Sequence, residues 1–164
     1  MLDAKITTLD GSQNDGYYVV NNNVVRTKRL TVEGTVNLII EDDCTLTLDK
    51  GIELKKNAKL TIWQQNGETG ALVATSSSDH KAAITVNEGS TLIINGCTVT
   101  AETFTDDAAG IGGDVNKSAG TITINAGTVT ARSDMNAAGL VDATLQLAIN
   151  QCESLMRKAA SKYI

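Results

Sequence analysis

Pairs of adjacent carboxylates are the first residues in this chain whose types could support chemistry. The acidic residues of the predicted turns are Asp42, Asp43, Asp79, Glu102, Asp106 and Asp107. Glycoside hydrolases and polysaccharide lyases need two or three carboxylates that converge beside a basic residue. The two Asp-Asp pairs fall in different turns, and no Lys or Arg adjoins either pair. We therefore predict that the chain is not an enzyme, that no residue is catalytic, and that these aspartates serve turn formation and solvation.

Metal binding is the second kind of chemistry that these residue types could support. Aspartate pairs could give oxygen ligands to Ca²⁺, but the regular ligand spacing of a Ca²⁺ loop is absent. Three scattered cysteines and a single histidine, His80, do not make a zinc site. His80 lies in a serine-rich loop, where we expect it to be solvated. The sequence predicts no metal site and no cofactor.

Trp63 is the best candidate for a glycan contact. It ends the run Leu60-Thr61-Ile62-Trp63, whose alternation turns its side chain away from the core, and a polar loop follows it. Sugar-binding surfaces are typically lined by exposed aromatic rings. The simpler interpretation is that Trp63 shields the loop. Tyr17 and Tyr18 are expected to close the N-terminal end.

Pairs of threonines separated by one residue form a second candidate ligand surface. The candidates are Thr98, Thr100, Thr128 and Thr130. Such ladders resemble those of ice-binding proteins, but the pair Ala71 and Val73 interrupts the series. Threonine is also simply a good residue for an exposed strand.

A sequence repeat indicates the elements that must position these residues. TLIINGCTVTA at 91–101 returns as TITINAGTVTA at 121–131, and looser copies start at 38 and 60. Each copy has a third short apolar segment, which gives three strands per unit and a period of roughly 22–32 residues. Repeats of this size are typical of stacked copies of one structural unit.

Alternation within each unit predicts which side chains form the core. The inward positions are Leu38, Ile40, Leu60, Ile62, Leu92, Ile94, Ile122 and Ile124 in the first strand, Leu46, Leu72, Val99 and Val129 in the second, and Ile52, Ile84, Ile111 and Leu140 in the third. We predict an all-β fold, a right-handed parallel β-helix (solenoid) of about five rungs with three strands per rung, over residues 1–141. An antiparallel sandwich is the competing fold. Cys44 and Cys97 occupy equivalent positions two rungs apart, too far for a disulfide.

Residues 142–164 change to a helical period. The apolar stripe of this segment includes Leu145, Ile149, Cys152, Leu155, Met156 and Tyr163. We predict a C-terminal amphipathic α-helix that either caps the open end of the solenoid or joins copies of the chain into a homo-oligomer through residues 142–163.

Charge and hydropathy exclude some partners. The net charge of −5 argues against nucleic acid, and no run of apolar residues is long enough to span a membrane. The one basic cluster, Arg26, Lys28 and Arg29, is interpreted as a solvated strand edge. The N-terminus lacks a charged segment followed by an apolar one, so we expect no signal peptide in this chain.

The stretch from Gly16 to Arg132 resembles the repeat domains of large surface proteins from gut Firmicutes. In those domains, runs such as GTITINGGTVTA alternate with AGIGGG. The matching segments here are 120–131 and 109–113. The resemblance implies an extracellular or cell-surface β-helix module, described as carbohydrate-binding-like and carrying no catalytic motif. We expect an adhesive, glycan-binding or spacer unit. The alternatives are a polysaccharide lyase or glycoside hydrolase, and a scaffold that assembles through its C-terminal helix.

Overall fold

The protein is all-β. The structure is a computed structural model that describes Leu2, residues 5–77, 80–104, 108–133, Gly139 and, for the backbone alone, 144–147. One short 3-10 helix, Asn14–Gly16, accompanies the strands in these residues. The strands are β1 (Thr8–Asp10), β2 (Tyr17–Val20), β3 (Val24–Arg26), β4 (Leu30–Glu33), β5 (Thr35–Ile40), β6 (Thr45–Leu48), β7 (Ile52–Leu54), β8 (Lys59–Gln64), β9 (Ala71–Ser76), β10 (Ile84–Val86), β11 (Thr91–Thr103), β12 (Ile111–Gly112), β13 (Thr121–Ser133) and β14 (Thr144–Leu147).

Strands that pair are parallel and, except for β13 and β14, are not consecutive in the chain. The order β1-β4-β7-β10-β12 forms one sheet. A second sheet has the order β2-β5-β8-β11-β9-β6-β3, and β13 pairs with β11 and β14. Parallel pairing requires a long crossover between partners, and in every pair but β13 and β14 the strands that lie between the partners in the chain supply it.

The long strands β11 and β13 bend the second sheet into two wings. The first half of β11 pairs with β8 and the second half with β9, with register shifts from Ile94 to Thr98. Gly96 and Gly127 have φ values of 149° and 95°, and Cys97 has a φ of 71°, so the bend uses backbone conformations that favour glycine. We call β2, β5, β8 and the first halves of β11 and β13 the Trp63 wing. The Thr98 wing comprises β3, β6, β9 and the second halves of β11 and β13.

The predicted inward residues form the core. Those predicted in β5 to β12 are fully buried, and Ile122 of β13 is buried as well. Ile124 and Val129 are partly buried against the same core. Leu140 lies outside the described residues. Alternation therefore identified the core because each strand has one face toward it.

The pairing of β5 with β8 differs from the alignment of the repeat. That alignment equates Leu38 with Leu92, whereas the strand pairs run from Val36 through Leu60 to Leu92. A shift of two residues keeps every side chain on its own face, so alternation alone could not reveal it.

The segment from Thr144 to Leu147 is a correction to the predicted C-terminal helix. It forms β14, which pairs in parallel with β13 and places Leu145 beside Ile122. The sequence Thr-Leu-Gln-Leu alternates like the Thr-Ile-Thr-Ile that it pairs with, and this short strand pattern prevails over the helical period of the longer window. The other residues proposed for oligomerisation, Ile149, Cys152, Leu155, Met156 and Tyr163, lie outside the described residues.

Two cysteines occupy matching corners of the repeat. Cys44 directly precedes Thr45, and Cys97 precedes Thr98; both threonines are in register with Ala71. The predicted separation of two strands is confirmed by these registers. Both thiols are buried and free. Burial, with a smaller contribution from the charge of Asp42, raises the pKa of the Cys97 thiol to about 11, so this thiol stays protonated and unreactive at neutral pH.

Candidate functional site

Trp63 lies on the outer face of the Trp63 wing. Its neighbour Ile62 is fully buried, the Gln64 side chain accepts a hydrogen bond from the backbone amide of Cys97, and Trp63 is 41% exposed. In register beside it is Ile39 of β5, which is half-buried. The predicted outward orientation of Trp63 is confirmed.

A hydrogen bond fixes the direction of the indole. Trp63 Nε1 donates to Asn37 Oδ1 at 3.1 Å. Asn37 is in register with Thr61, two residues before Trp63, so the ring reaches diagonally from β8 toward β5. Thr61 faces outward by alternation but is only 5% exposed, as expected if the indole and its neighbours cover it. The indole is therefore held against the sheet instead of projecting from it.

Tyr17 extends this surface on the other side of Asn37. It is in register with Asn37 and is 54% exposed, so it does not close the N-terminal end as predicted. Tyr18 is buried, and its hydroxyl donates to the Asp10 carbonyl and accepts from the Asp10 amide. Tyr17, Asn37 and Trp63 thus form a row across three neighbouring strands, which we call the aromatic row.

The loop after Trp63 is held in place by Asp42. The Asp42 carboxylate accepts hydrogen bonds from the backbone amides of Gly67 and Thr69, at 2.9 and 3.4 Å. The Thr69 hydroxyl accepts from the amide of Asp43 at 2.8 Å. These contacts agree with the turn role predicted for the aspartate pair, and they give the end of the aromatic row a defined border.

The four threonine candidates lie on the Thr98 wing and do not join Trp63 in one site. Thr98 is in register with Thr128, and Thr100 with Thr130. The first pair is exposed and the second half-buried. Ala71 continues the first column on the next strand. The result is a regular outer surface of β-branched and small side chains, separated from the aromatic row by the bend of the sheet.

A polar network that the sequence analysis did not identify covers the outer face of the first sheet. Arg29 donates to the Ala82 carbonyl at 2.9 Å and to the Thr85 hydroxyl. Thr85 in turn donates to Asp114 Oδ1 at 2.7 Å, and Lys81 Nζ forms an ion pair with Asp114 Oδ2. In the sequence, the only local indication of this network is a single polar residue, Thr85, between the apolar residues Ile84 and Val86.

Electrostatics show what this network does. Burial would raise the pKa of Asp114, but hydrogen bonds from Lys81, Thr85 and the Ala82 amide together lower it. Burial lowers the pKa of Arg29, and the charge of Asp114 opposes that effect. The contacts connect Arg29, directly before β4, with the segment around β10 and with the loop after β12.

The basic cluster is a further correction. Arg26 is only 2% exposed, and Arg29 is half-buried in the network, so neither is a solvated edge residue. Lys28 remains exposed, and with Arg26 and Lys5 it lines a cleft at the start of the chain. Alternation explains Arg26, since it follows Val24 on the inward face of β3. His80 is exposed, as predicted.

The part of the chain that the structure describes contains no group of three or more His, Cys, Asp or Glu residues that could hold a metal ion. Within those same ranges, no helix is long and apolar enough to cross a membrane.

Comparison with known proteins finds no family model, no curated protein and no solved structure that matches the chain.

Proposed function

We propose that the chain is a right-handed parallel β-helix, with about five rungs of three strands, that acts as a non-enzymatic glycan-binding module. The support for the β-helix is the pairing of equivalent strands in successive units. Ile52, Ile84 and Ile111, for example, follow one another in register on three strands. Like residues stacked on like are typical of solenoids.

The observation that carries the binding function is the aromatic row. Two exposed rings lie on one face of a sheet, with the indole of Trp63 held down by Asn37. Aromatic faces that are already ordered can contact the apolar face of a sugar at little cost in side-chain entropy. Polar groups beside them, such as the Asn37 amide, can meet the hydroxyls of the same sugar.

A bacterial cell surface is the proposed location, and it rests on the repeat segments 109–113 and 120–131. On such a surface, glycan binding serves adhesion, and the stacked strands also make the module a spacer. Nucleic acid is not proposed as a partner because the chain carries a net charge of −5.

The enzyme alternative has less support than binding. In the part of the chain that the structure describes, the best cluster of a carboxylate with basic side chains is Asp114 with Lys81 and Arg29. Both carboxylate oxygens of Asp114 already accept hydrogen bonds, and its side chain is only 10% exposed. A general acid or base must reach a substrate proton, which this position does not favour.

Substitution of Trp63 tests the proposed function. A glycan array should give a signal with the wild-type chain, and Trp63→Ala should weaken binding of the same glycan about tenfold or more, the loss typical of a central aromatic contact. Phe104→Ala is the matched control because Phe104 is also an exposed aromatic, 54% exposed, and directly follows the last residue of β11. Binding that survives Trp63→Ala unchanged would refute a role for the aromatic row.

A further inference from the structure

We propose that the aromatic row binds a neutral, extended β-1,4-linked polysaccharide, laid across the strands from β2 to β8. This inference rests on the proposed glycan-binding function and specifies the ligand class and its direction. Tyr17 and Trp63 stack on two sugars of the chain, and Asn37 lies beneath the sugar between them.

The spacing of the row carries the first part of the argument. Tyr17 is in register with Asn37, and Asn37 with Thr61 of β8, so two strand spacings separate β2 from β8. At about 4.8 Å per strand, β2 and β8 are about 9.6 Å apart. Trp63 lies two residues, or about 6.6 Å, beyond Thr61 along β8, and the diagonal reach of the indole toward Asn37 partly offsets this shift. An extended β-1,4-linked chain turns each sugar over relative to the last, so every second sugar presents the same face. Two rings on one surface, two strands apart, suit that alternation.

The straight arrangement of the row disfavours the binding of coiled polysaccharides. Tyr17, Asn37 and Thr61 form one column of register partners, and the indole returns from Trp63 toward that column through Asn37. α-1,4-linked glucans coil and need a curved groove to contact two rings at once. Here both rings lie on the outer face of a single parallel sheet.

The charged residues on and beside the Trp63 wing favour an uncharged polysaccharide over an acidic one. Among the outward strand residues that the structure describes on the Trp63 wing, Lys59 is the only charged one, four positions before Trp63. Lys59 is about 7 Å along the strand from the column through Asn37 and Thr61, and this single positive charge is outnumbered by the two carboxylates at the other end of the row. Glu41 and Asp42 directly follow β5 and place negative charge at the Trp63 end. A uronic acid polymer would meet repulsion there.

Titration with oligosaccharides of increasing length tests the inference. Trp63 is the single tryptophan of the chain, so intrinsic fluorescence reports contact at this ring alone. Cello-oligosaccharides from the dimer to the hexamer should change the emission, and affinity should rise at the trimer, the shortest chain with two sugars facing the same way. Malto-oligosaccharides and polygalacturonate of matched length should bind at least about tenfold more weakly.

Tyr17→Ala separates this inference from the proposed function. The variant should lose the rise at the trimer, about tenfold in affinity, and keep the affinity of the dimer. Tyr17→Phe should retain the rise because the ring remains. Phe104→Ala matches Tyr17 in exposed fraction, 54% for both, and should behave as wild type.

Two outcomes would overturn the inference while leaving Trp63-dependent glycan binding in place. One is an affinity for trimer and longer chains that Tyr17→Ala does not change. The other is a preference for the α-linked or the acidic probe. If the wild-type chain binds no glycan, the proposed function and this inference both fail.

Discussion

Asp114 shows how a single residue connects distant parts of the chain. Its carboxylate joins Lys81 and Ala82, which precede β10, to the loop after β12, and Thr85 relays it to Arg29. Hydrogen bonds to charged groups that are withdrawn from water are each worth about 1.5–3 kcal/mol. The network therefore stabilises the first sheet from its outer side, where alternation alone would leave Thr85 exposed.

The first prediction concerns the pH dependence of stability. The pKa of Asp114 is lowered in the folded state, whereas an unfolded aspartate titrates near about 3.9. Its contribution is therefore fully present above about pH 5 and is lost as the pH falls through about 4 and below. Asp114→Asn should lower the free energy of unfolding by about 1–3 kcal/mol at pH 7, and this difference should shrink toward pH 3. Urea titrations at several pH values measure it.

Lys81→Met provides the matched variant for this measurement. It removes one partner of Asp114 and keeps the carboxylate, so it should weaken the pH dependence in part. A difference between wild type and Asp114→Asn that stays constant from pH 7 to pH 3 would contradict the prediction.

Such contacts could not be predicted from the sequence. Arg29 and Thr85 are 56 positions apart, and Thr85 and Asp114 are 29 apart, with no periodicity that links them. Trp63 was different, because its exposure follows from the alternation of β8 alone. Its partner Asn37 is 26 positions away and became visible only with the strand register.

The strands are the elements that the sequence predicted best. Alternation gave the correct inward face for β5 to β11 because each strand packs one face into the core. It could not give the register of β5 with β8, since a shift of two residues conserves the faces. It also missed β14, four residues long, because the helical period of the following segment dominated the window.

The second prediction uses this alternation within two neighbouring strands. Val99→Asp and Ile122→Asp should abolish folding, because both side chains are fully buried and each variant would bury an unpaired charge. Thr98→Asp should change stability by less than about 1 kcal/mol, since Thr98 is exposed on the Thr98 wing. Circular dichroism and thermal unfolding of the three variants compare them. Equal damage at Thr98 would mean that the faces are misassigned.

At the scale of the molecule, stability should vary along the chain. Strands of the middle units, such as β7 and β8, pair on both edges, whereas β1 and β3 pair on one edge among the described residues. In the proposed β-helix, each unit depends mainly on its two neighbours. We therefore predict local opening from the edge strands inward.

Hydrogen exchange measures this gradient. Backbone amides of β8 should exchange most slowly, at rates that approach global unfolding, and those of β3 should exchange at least about tenfold faster. Peptides covering Lys59–Gln64 and Val24–Arg26 give the comparison by mass spectrometry. Uniform protection along the chain would show that it unfolds as one cooperative unit instead.

The bend in β11 and β13 has a consequence for how such a molecule can change in evolution. The two strands match residue for residue before and after the bend, so a duplicated copy of the segment from Thr91 to Gly120 would begin and end on positions that already fit. Gene duplication can therefore lengthen the molecule by one copy of this segment at a time. Each added copy would use the existing turns and strand pairings. The length of the protein can therefore change in evolution without altering the aromatic row, because that row lies on the earlier strands β2, β5 and β8.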